Sequence, residues 1–290
     1  NQNVEVLASS KDKIINSAAT LGIGSSAGVA GTAAVGVLVN TTNAYIEGTV
    51  TAEDNISVSS NGDTELIQIA GAVGGGGSAG IGASFGVAVV KGTNIAYIGD
   101  NATTNARGTT SVTADTDETS IAAVLAGGIG GSVGVSVSGG IKVHDSVTKA
   151  YIYGDVNQSY TSGNSDQDVV VTARNDVTTI DVTGGIGGGG AVGVGVTLNA
   201  LVVHNKAQAW IGGGTSTAVS AERDVTVEAI SAKSTKNFTL AGAAGGTVSV
   251  AGNVAVVLVG AQADEETDKQ MTGSGNNLAD DSDSRQNSLT

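Results

Sequence analysis

One alternating pattern dominates the chain: branched apolar residues take every second position, and very small residues take the positions between them. In residues 127–143 the branched series includes Val133, Val135 and Val137, and the intervening series is mostly Gly and Ser. A period of two is typical of a β-strand whose two faces differ. The pattern predicts a long strand with its branched residues directed into a core. Its small residues should form a flat opposite face that another layer of backbone can approach closely.

The pattern recurs, and it divides the chain into five repeats. The equivalent residues Val6, Val58, Val112, Val171 and Val227 are 52, 54, 59 and 56 positions apart. Each repeat is predicted to contain a short strand, a polar turn, an apolar stretch, a Gly-rich bend and the long alternating strand. The first four repeats end on an Ala-aromatic-Ile motif, whose aromatic residues are Tyr45, Tyr97, Tyr151 and Trp210.

Self-similarity at this period predicts an all-β fold, a parallel β-helix or β-solenoid over residues 1–263. Helical repeats are excluded because each Gly would cost roughly 0.5–1 kcal/mol in a helix. Repeats of 52–59 residues exceed one ordinary coil, so two or three coils per repeat are expected. A propeller or other repetitive all-β array is the alternative. In the solenoid, the stacked valines are expected to point inward: Val35, Val87, Val135, Val194 and Val254.

Three segments depart from the repeat. Residues 156–167 are an insertion in the third repeat, and residues 212–222 occupy the corresponding place in the fourth. Insertions in solenoids become loops on one face. Residues 264–290 are acidic and lack an apolar period, so they are predicted to be a linker or tail that proteases cut first.

Composition restricts the functional classes. The chain has 45 Gly among 290 residues and no Cys, which is compatible with any redox compartment. It also has no Pro, which suits a chain held almost entirely in hydrogen-bonded ladders. A net charge of −14 argues against nucleic acid as a partner, because few cations are available to neutralise phosphates. No uninterrupted apolar run reaches membrane-spanning length, so membrane insertion is not expected.

Two runs carry a resemblance to a known family. They are VGVSVSGGIKVHDSVTKAYIYGD in residues 133–155 and FGVAVVKGTNIAYIGDNATTNARGTTSVTAD in residues 85–115. These runs resemble the tandem units of very large fusobacterial-type filamentous adhesins, the leukotoxin-like group. The resemblance covers about residues 1–263. It implies a cell-surface or secreted β-solenoid stalk, exported through an outer-membrane partner or an autotransporter route, and it brings no catalytic residues.

The residues give little support for metal, cofactor or catalytic chemistry, and none is predicted. His144 and His204 lack the third or fourth converging ligand that zinc needs, so both are interpreted as surface histidines. The acidic clusters at residues 115–118 and 280–283 are interpreted as solvated turns rather than calcium sites. The Gly runs have neither a P-loop lysine nor a strand-loop-helix context, so they are not phosphate loops.

Two sets of residues are candidates for binding. Tyr160, Asn157, Asn164 and Asp166 in the 156–167 insertion offer an aromatic face and adaptable hydrogen-bonding groups, the inventory of a ligand loop. The alternative is a tolerated insertion with no partner. The aromatic residues Tyr45, Tyr97, Tyr151 and Trp210 could form a platform for sugar, but their Ala and Ile neighbours favour a structural stack.

These observations predict a non-enzymatic shaft or stalk segment of a large extracellular or bacterial cell-surface adhesin, acting as a spacer or scaffold in attachment. Its partners would be a host-cell surface, a glycan or neighbouring repeats of the same chain. One alternative is a carbohydrate-binding or carbohydrate-active β-helix, which would need clustered carboxylates in a cleft. Another is an ice- or surface-binding repeat, which would need outward Thr ladders, whereas the predicted outward face is Gly and Ser.

Overall fold

Each repeat folds into two long strands, and the first three repeats add a short strand. A computed structural model describes residues 2–160 and 166–260; the predicted acidic tail, residues 264–290, lies outside the described residues. The long strands are β1 (Val4–Gly24), β2 (Ala27–Ile46), β4 (Ile56–Gly76), β5 (Ala79–Ile98), β7 (Thr110–Gly130), β8 (Val133–Ile152), β10 (Val169–Gly189), β11 (Val192–Ile211), β12 (Val225–Gly245) and β13 (Val248–Gly260). The short strands are β3 (Thr49–Ala52), β6 (Thr103–Ala106) and β9 (Asp155–Val156).

The strands stack into three parallel sheets, which confirms the all-β solenoid. Sheet A has the order β1-β4-β7-β10-β12, sheet B the order β2-β5-β8-β11-β13, and the small sheet C the order β3-β6-β9. The register is unbroken: Val6 pairs with Val58, which pairs with Val112, and the series continues through Val171 to Val227. The predicted equivalence of the five repeats is therefore correct. Parallel stacking across repeats also excludes the propeller alternative.

Each repeat is one wide coil, so the expectation of two or three coils per repeat is wrong. The residues interpreted as a polar turn, such as Ser9 to Lys13, lie in the middle of a single strand of 21 residues. The polar side chains there alternate with inward residues, so the strand continues through them. The coil is consequently long and flat, with sheets A and B facing each other.

At one edge of the coil the chain passes from sheet A to sheet B through a two-residue arc. In the first coil this arc is formed by Ser25 and Ser26, and each later coil has a small-residue arc at the same level. The backbone of each arc bonds to the next: the Ser78 amide donates to the Ser26 carbonyl (2.8 Å), and the Ser132 amide donates to the Ser78 carbonyl (2.9 Å). We call this edge the tip. Because its backbone groups are paired between coils, the tip is as regular as the strands.

At the opposite edge, the closed end, sheet C joins sheets A and B around an aliphatic core. Ladders of identical or similar side chains fill it, for example Ile46, Ile98 and Ile152, each at most 5% exposed. The same cluster contains Val58, Val112 and other Val, Ala and Ile residues of the first four coils. This region is the part of the coil with an ordinary hydrophobic interior.

Between the closed end and the tip, the interior is mixed: small apolar clusters, such as Leu66 with Val90, lie among buried polar side chains. Asn94, Thr116, Thr148, Asn175 and Asn205 are buried there and bond to one another between coils. The Thr148 hydroxyl donates to Thr116 (2.7 Å), and Asn175 Nδ2 donates to Thr148 (2.9 Å). Buried polar side chains are costly unless they are bonded, so this network also fixes the vertical alignment of the coils.

Towards the tip the two sheets converge until backbone contacts backbone. A Cβ atom added to Gly128 would lie 1.8 Å from the Val135 carbonyl oxygen, and one added to Gly134 would lie 2.0 Å from the Gly188 carbonyl oxygen. No side chain fits in such a gap. The last coil is the exception, because Ala243 and Ser249 take the corresponding positions there.

The prediction that the branched residues point inward is wrong. Val35 is 63% exposed, and Val87, Val135 and Val194 are partly exposed, whereas the small residues that alternate with them are buried. The five valines also do not form one stack: Val35 pairs with Val87, and Val135 pairs with Val194 in another row. Val254 pairs with Leu198 in a third row of the same outward face. The reason is the narrow gap between the sheets, which admits Gly, Ala, Ser and Thr more readily than Val or Ile. The outward face is thus aliphatic rather than the Gly and Ser face expected from the sequence.

A valine at Gly134 should destabilise the protein severely. Gly134 faces inward against the Gly188 carbonyl, so a larger side chain must force the sheets apart, and overpacking costs about 1–3 kcal/mol or more. We expect Gly134→Val to lower the free energy of unfolding by at least ~3 kcal/mol in denaturant titrations.

The matched control is Gly188→Val. Gly188 lies at the same level of the coil but has no atom within 4 Å of its added Cβ. This variant should unfold within ~1 kcal/mol of the natural chain, because valine favours strands. Equal effects of the two substitutions would contradict the inward assignment of the small-residue face.

Candidate functional site

The four predicted aromatic residues form one continuous stack on the outer face of sheet B, near the closed end. Ring centroids are 5.0 Å apart for Tyr45 and Tyr97, 4.9 Å for Tyr97 and Tyr151, and 4.6 Å for Tyr151 and Trp210. The interplanar angles are 12° or less. In-register pairing of the four Ala-aromatic-Ile motifs places the rings above one another. The stack is therefore the consequence of the repeat.

The stacking decides what this row can bind. A sugar packs on the open face of an aromatic ring, but here Tyr97 and Tyr151 are covered on both faces by neighbouring rings. Partial burial, with help from Tyr97 and Tyr153, raises the pKa of Tyr151 to about 12. Tyr97 and Tyr151 thus offer hydroxyl edges and no open ring face, and the stack links the first four coils.

The predicted ligand loop is anchored at its start by Asn157. Its side chain is buried, its Oδ1 accepts from the Ala106 amide (2.9 Å), and its Nδ2 donates to the Ser220 carbonyl (3.2 Å). Its backbone has φ of 60°, a left-handed conformation that Asn tolerates better than most residues. Asn157 therefore supports the loop structurally, and its amide is not available to a ligand, contrary to the prediction.

The end of the loop is anchored by Gln167, a residue that the sequence analysis did not select. Gln167 is buried, and its Nε2 donates to the carbonyls of Ala106 (2.6 Å) and Tyr160 (2.9 Å). The loop is thus fastened at both ends to the same residue of the preceding coil.

The remaining loop candidates lie further out. The Arg107 guanidinium sits over the Tyr160 ring, 4.4 Å from its centroid, a cation–π contact. Asp166 is exposed, and one of its oxygens is 3.9 Å from the Arg223 guanidinium. Asn164 lies outside the described residues. Tyr160 and Asp166 are the two described candidates that present groups to solvent, and the ligand-loop hypothesis rests on them.

Two pairs of ionisable side chains lie in the interior between the sheets. Lys142 is buried, its Nζ donates to the Ile180 carbonyl (3.1 Å), and burial lowers its pKa to about 8. Burial raises the pKa of the nearby Asp181 carboxyl, although the Lys142 charge opposes that shift. A buried pair of this kind costs desolvation energy that its mutual attraction only partly offsets.

The second pair is Glu118 and His144, whose Oε2 and Nδ1 atoms are 3.5 Å apart with both side chains 1% exposed or less. The interpretation of His144 as a surface residue is therefore wrong. His204 does lie on the outer face of sheet B. The acidic cluster is also divided, because Asp115 and Asp117 face outward and Glu118 faces inward. Within residues 2–160 and 166–260, no three His, Asp or Glu side chains converge into a metal-binding group.

The signal for these buried residues was present in the sequence. Lys142 and His144 continue the even-numbered series of Gly134, Ser136 and Ser138, so the strand period places them on the small-residue face. Because that face was expected to be outward, both side chains were expected in solvent. The division of the strand into two alternating faces is correct, but the face expected to be outward is the inward one.

No family model matches this chain, and no curated protein and no solved structure matches it. In the described parts of the chain, no helix is long and apolar enough to cross a membrane. The functional argument therefore depends on the geometry given above.

Stability should depend on pH through Lys142. Its pKa is about 8 in the folded protein and 10.5 when exposed, so the unfolded chain binds more protons between these values. Stability from this group therefore rises with pH across that window, by at most ~1.4 kcal/mol per pH unit. We expect Lys142→Met, which cannot titrate, to lack this contribution.

The measurement is the difference in unfolding free energy between the natural chain and Lys142→Met at pH 7.5, 8.5 and 9.5. Tyr151 is present in both proteins, so the contribution of its titration cancels in this difference. The difference should shift in favour of the natural chain by about 1 kcal/mol per pH unit at the upper end. A constant difference would mean that Lys142 is solvated.

Asn157→Ala should destabilise the protein by about 1–3 kcal/mol, because it leaves the buried Ala106 amide without its acceptor and places Ala in a left-handed conformation. Ser159→Ala, at an exposed neighbouring position, is the control and should change stability by less than ~0.5 kcal/mol. Thermal unfolding followed by circular dichroism measures both. An Asn157→Ala protein as stable as the control would show that the Asn157 side chain does not anchor the loop and is available in solvent.

Proposed function

We propose that the chain is a segment of the structural shaft of a repetitive extracellular or bacterial cell-surface protein, which acts as a spacer or scaffold in attachment. The one observation that carries this proposal is the unbroken one-to-one register of all the long strands. A spacer needs a structure that grows in one direction by adding equal units, and a stack of in-register coils has that property.

Contacts between neighbouring coils support the same function. Lys11 pairs with Asp63 (2.7 Å), and Lys13 pairs with Glu65 (2.8 Å), across the first two coils of sheet A. Such exposed pairs contribute little stability each, but they are specific contacts between the first two coils. In residues 2–160 and 166–260, β1 and β2 lie at one end of the stack and β12 and β13 at the other, and an added coil could pair with these strands in the same register.

Attachment itself is assigned to the loop rather than to the coils. The outward faces of the coils carry ladders of similar side chains, which offer little chemical distinctiveness. Tyr160 and Asp166 project from the 156–167 insertion on a rigid support, the arrangement in which binding loops are commonly found. A glycan or a host-cell surface is the ligand class expected for a loop of this composition on an attachment protein.

A lengthened chain tests the shaft. Residues 4–109 contain the first two coils, and copies of this unit inserted after Thr109 keep the Lys11 and Lys13 row next to Asp63 and Glu65. Ten copies add twenty coils and should lengthen the particle by about 96 Å, at ~4.8 Å per coil. Electron microscopy should show rods of constant cross-section.

The control array carries Gly74→Val in every unit. An added Cβ at Gly74 would lie 1.9 Å from the Ile81 carbonyl oxygen, so this array should not form rods. Compact or irregular particles from the natural array would contradict the shaft.

A separate assay tests the loop. Tyr160→Ala should reduce any binding of the chain to host cells or glycan surfaces, and unchanged binding would remove the loop from the proposal.

A further inference from the structure

The outer face of sheet B carries an uninterrupted apolar block between the tip and a row of charged residues. In β8 the outward residues of this block are Val133, Val135, Val137, Gly139, Ile141 and Val143. Their register partners in the other strands of sheet B are all Val, Ile, Leu, Phe, Ala or Gly. The block ends where Lys91, Asp145 and His204 form the next outward row. We call this surface the valine face.

The valine face is solvent-exposed in the single chain. Val37 is 59% exposed in the first coil, Phe85 is 47% exposed in the second, and Ile141 is 52% exposed in the third. Soluble monomers rarely expose contiguous apolar patches of more than a few hundred Å². A surface of this kind therefore marks a place where another apolar surface packs.

The valine face is also shaped for packing. Phe85 leans over Gly139, where a Cβ would lie 2.8 Å from the ring, and beside it lies a groove of about 310 Å³. Ile141, Leu198 and Val254 line the groove. The surface therefore has protruding Val side chains on either side of a groove at Gly139. Side chains of a second apolar face can enter such a groove, so the two faces can interdigitate.

The area of the valine face is that of a stable dimer interface. Ten residues separate Val133 from Val143, or about 33 Å of strand, and five strands cover about 24 Å. The face therefore offers ~800 Å², and two copies packed together would bury ~1,600 Å², the usual size of a specific protein interface.

The length of the face is also close to the ~30 Å thickness of a lipid hydrocarbon core, which makes lipid the rival occupant. A second copy is favoured because the face has the area of a stable protein interface, and because its rows of Val flank a groove at Gly139 that a facing copy can fill. Flotation with lipid vesicles distinguishes the two occupants.

We propose that a second copy of the chain covers the valine face, so that two shafts pair side by side through sheet B. The interface is isologous, because the same face is used by both copies. This inference goes beyond the spacer function and does not depend on it. It assigns the aliphatic residues on the outside of sheet B a role in lateral association.

The test is sedimentation of the full chain from 1 to 100 µM, with a substituted valine face as comparison. Val137 and Val196 are register partners near the middle of the face, so Val137→Lys with Val196→Glu adds an ion pair and no net charge. We expect a dimer from the natural chain and at least a 100-fold weaker association from this variant. Val137→Thr with Val196→Thr keeps the branched shape and should weaken association at least 10-fold, which covers the case in which the charged variant misfolds.

Two controls carry matched pairs on sheet A. Thr113→Lys with Thr172→Glu lies on its polar outer surface, and Ile121→Lys with Ile180→Glu lies on its apolar outer surface, which is shorter than the valine face and is interrupted by Ser17 and Lys236. Both should remain dimeric. A natural chain that is monomeric at 100 µM, larger species in place of a dimer, or dissociation caused by the sheet A variants would each overturn the proposal. Flotation of the natural chain with phosphatidylcholine vesicles would overturn it in favour of lipid.

Discussion

The close approach of sheets A and B at the tip is the constraint on which the rest of the structure depends. Carbonyl oxygens of one sheet occupy the space that a Cβ of the other would need, as at Gly128 and Val135. This contact requires Gly at the inward positions nearest the tip in the first four coils. It also permits a two-residue arc, because the sheets are already close where the chain crosses. With the interior filled by backbone, the branched residues of the same strands must face outward.

The coil is consequently a wedge whose interior changes with the distance between the sheets. The closed end is wide enough for Ile and Val ladders, the middle holds Asn and Thr, and the tip holds Gly. The polar middle gives the stack directional side-chain contacts between coils, since Asn175 bonds to Thr148 and Asn205 bonds to Asn175. Lys142 with Asp181, and Glu118 with His144, lie in this same zone. Lys142 bonds to the Ile180 carbonyl of the next coil and so helps to align the two coils, whereas Glu118 and His144 pair within one coil.

Most of the periodic structure could be predicted from the sequence, and the identity of its faces could not. Val6 and its four equivalents established the register, because a repeat must present the same residue at the same place in each unit. A period of two separates two faces but does not say which is inside. That choice depends on the distance between the sheets, which is a tertiary property. His144 and Lys142 were misplaced for this reason. Asn157 was misplaced for another, because its amide bonds to Ala106 and Ser220, both far away in the sequence.

The stack has two kinds of surface on which another molecule could pack: the edges of its terminal strands and the outward aliphatic face of sheet B. The edges of the terminal strands could pair with further coils by hydrogen bonding. The valine face has exposed aliphatic area, which hydrogen bonding along the stack cannot cover, because every added coil brings more of it. Growth along the axis therefore increases the apolar area in proportion to length, at about 160 Å² per coil for the valine face. Two long shafts packed side by side bury more apolar area with every coil, so lateral pairing becomes more favourable as the shaft becomes longer.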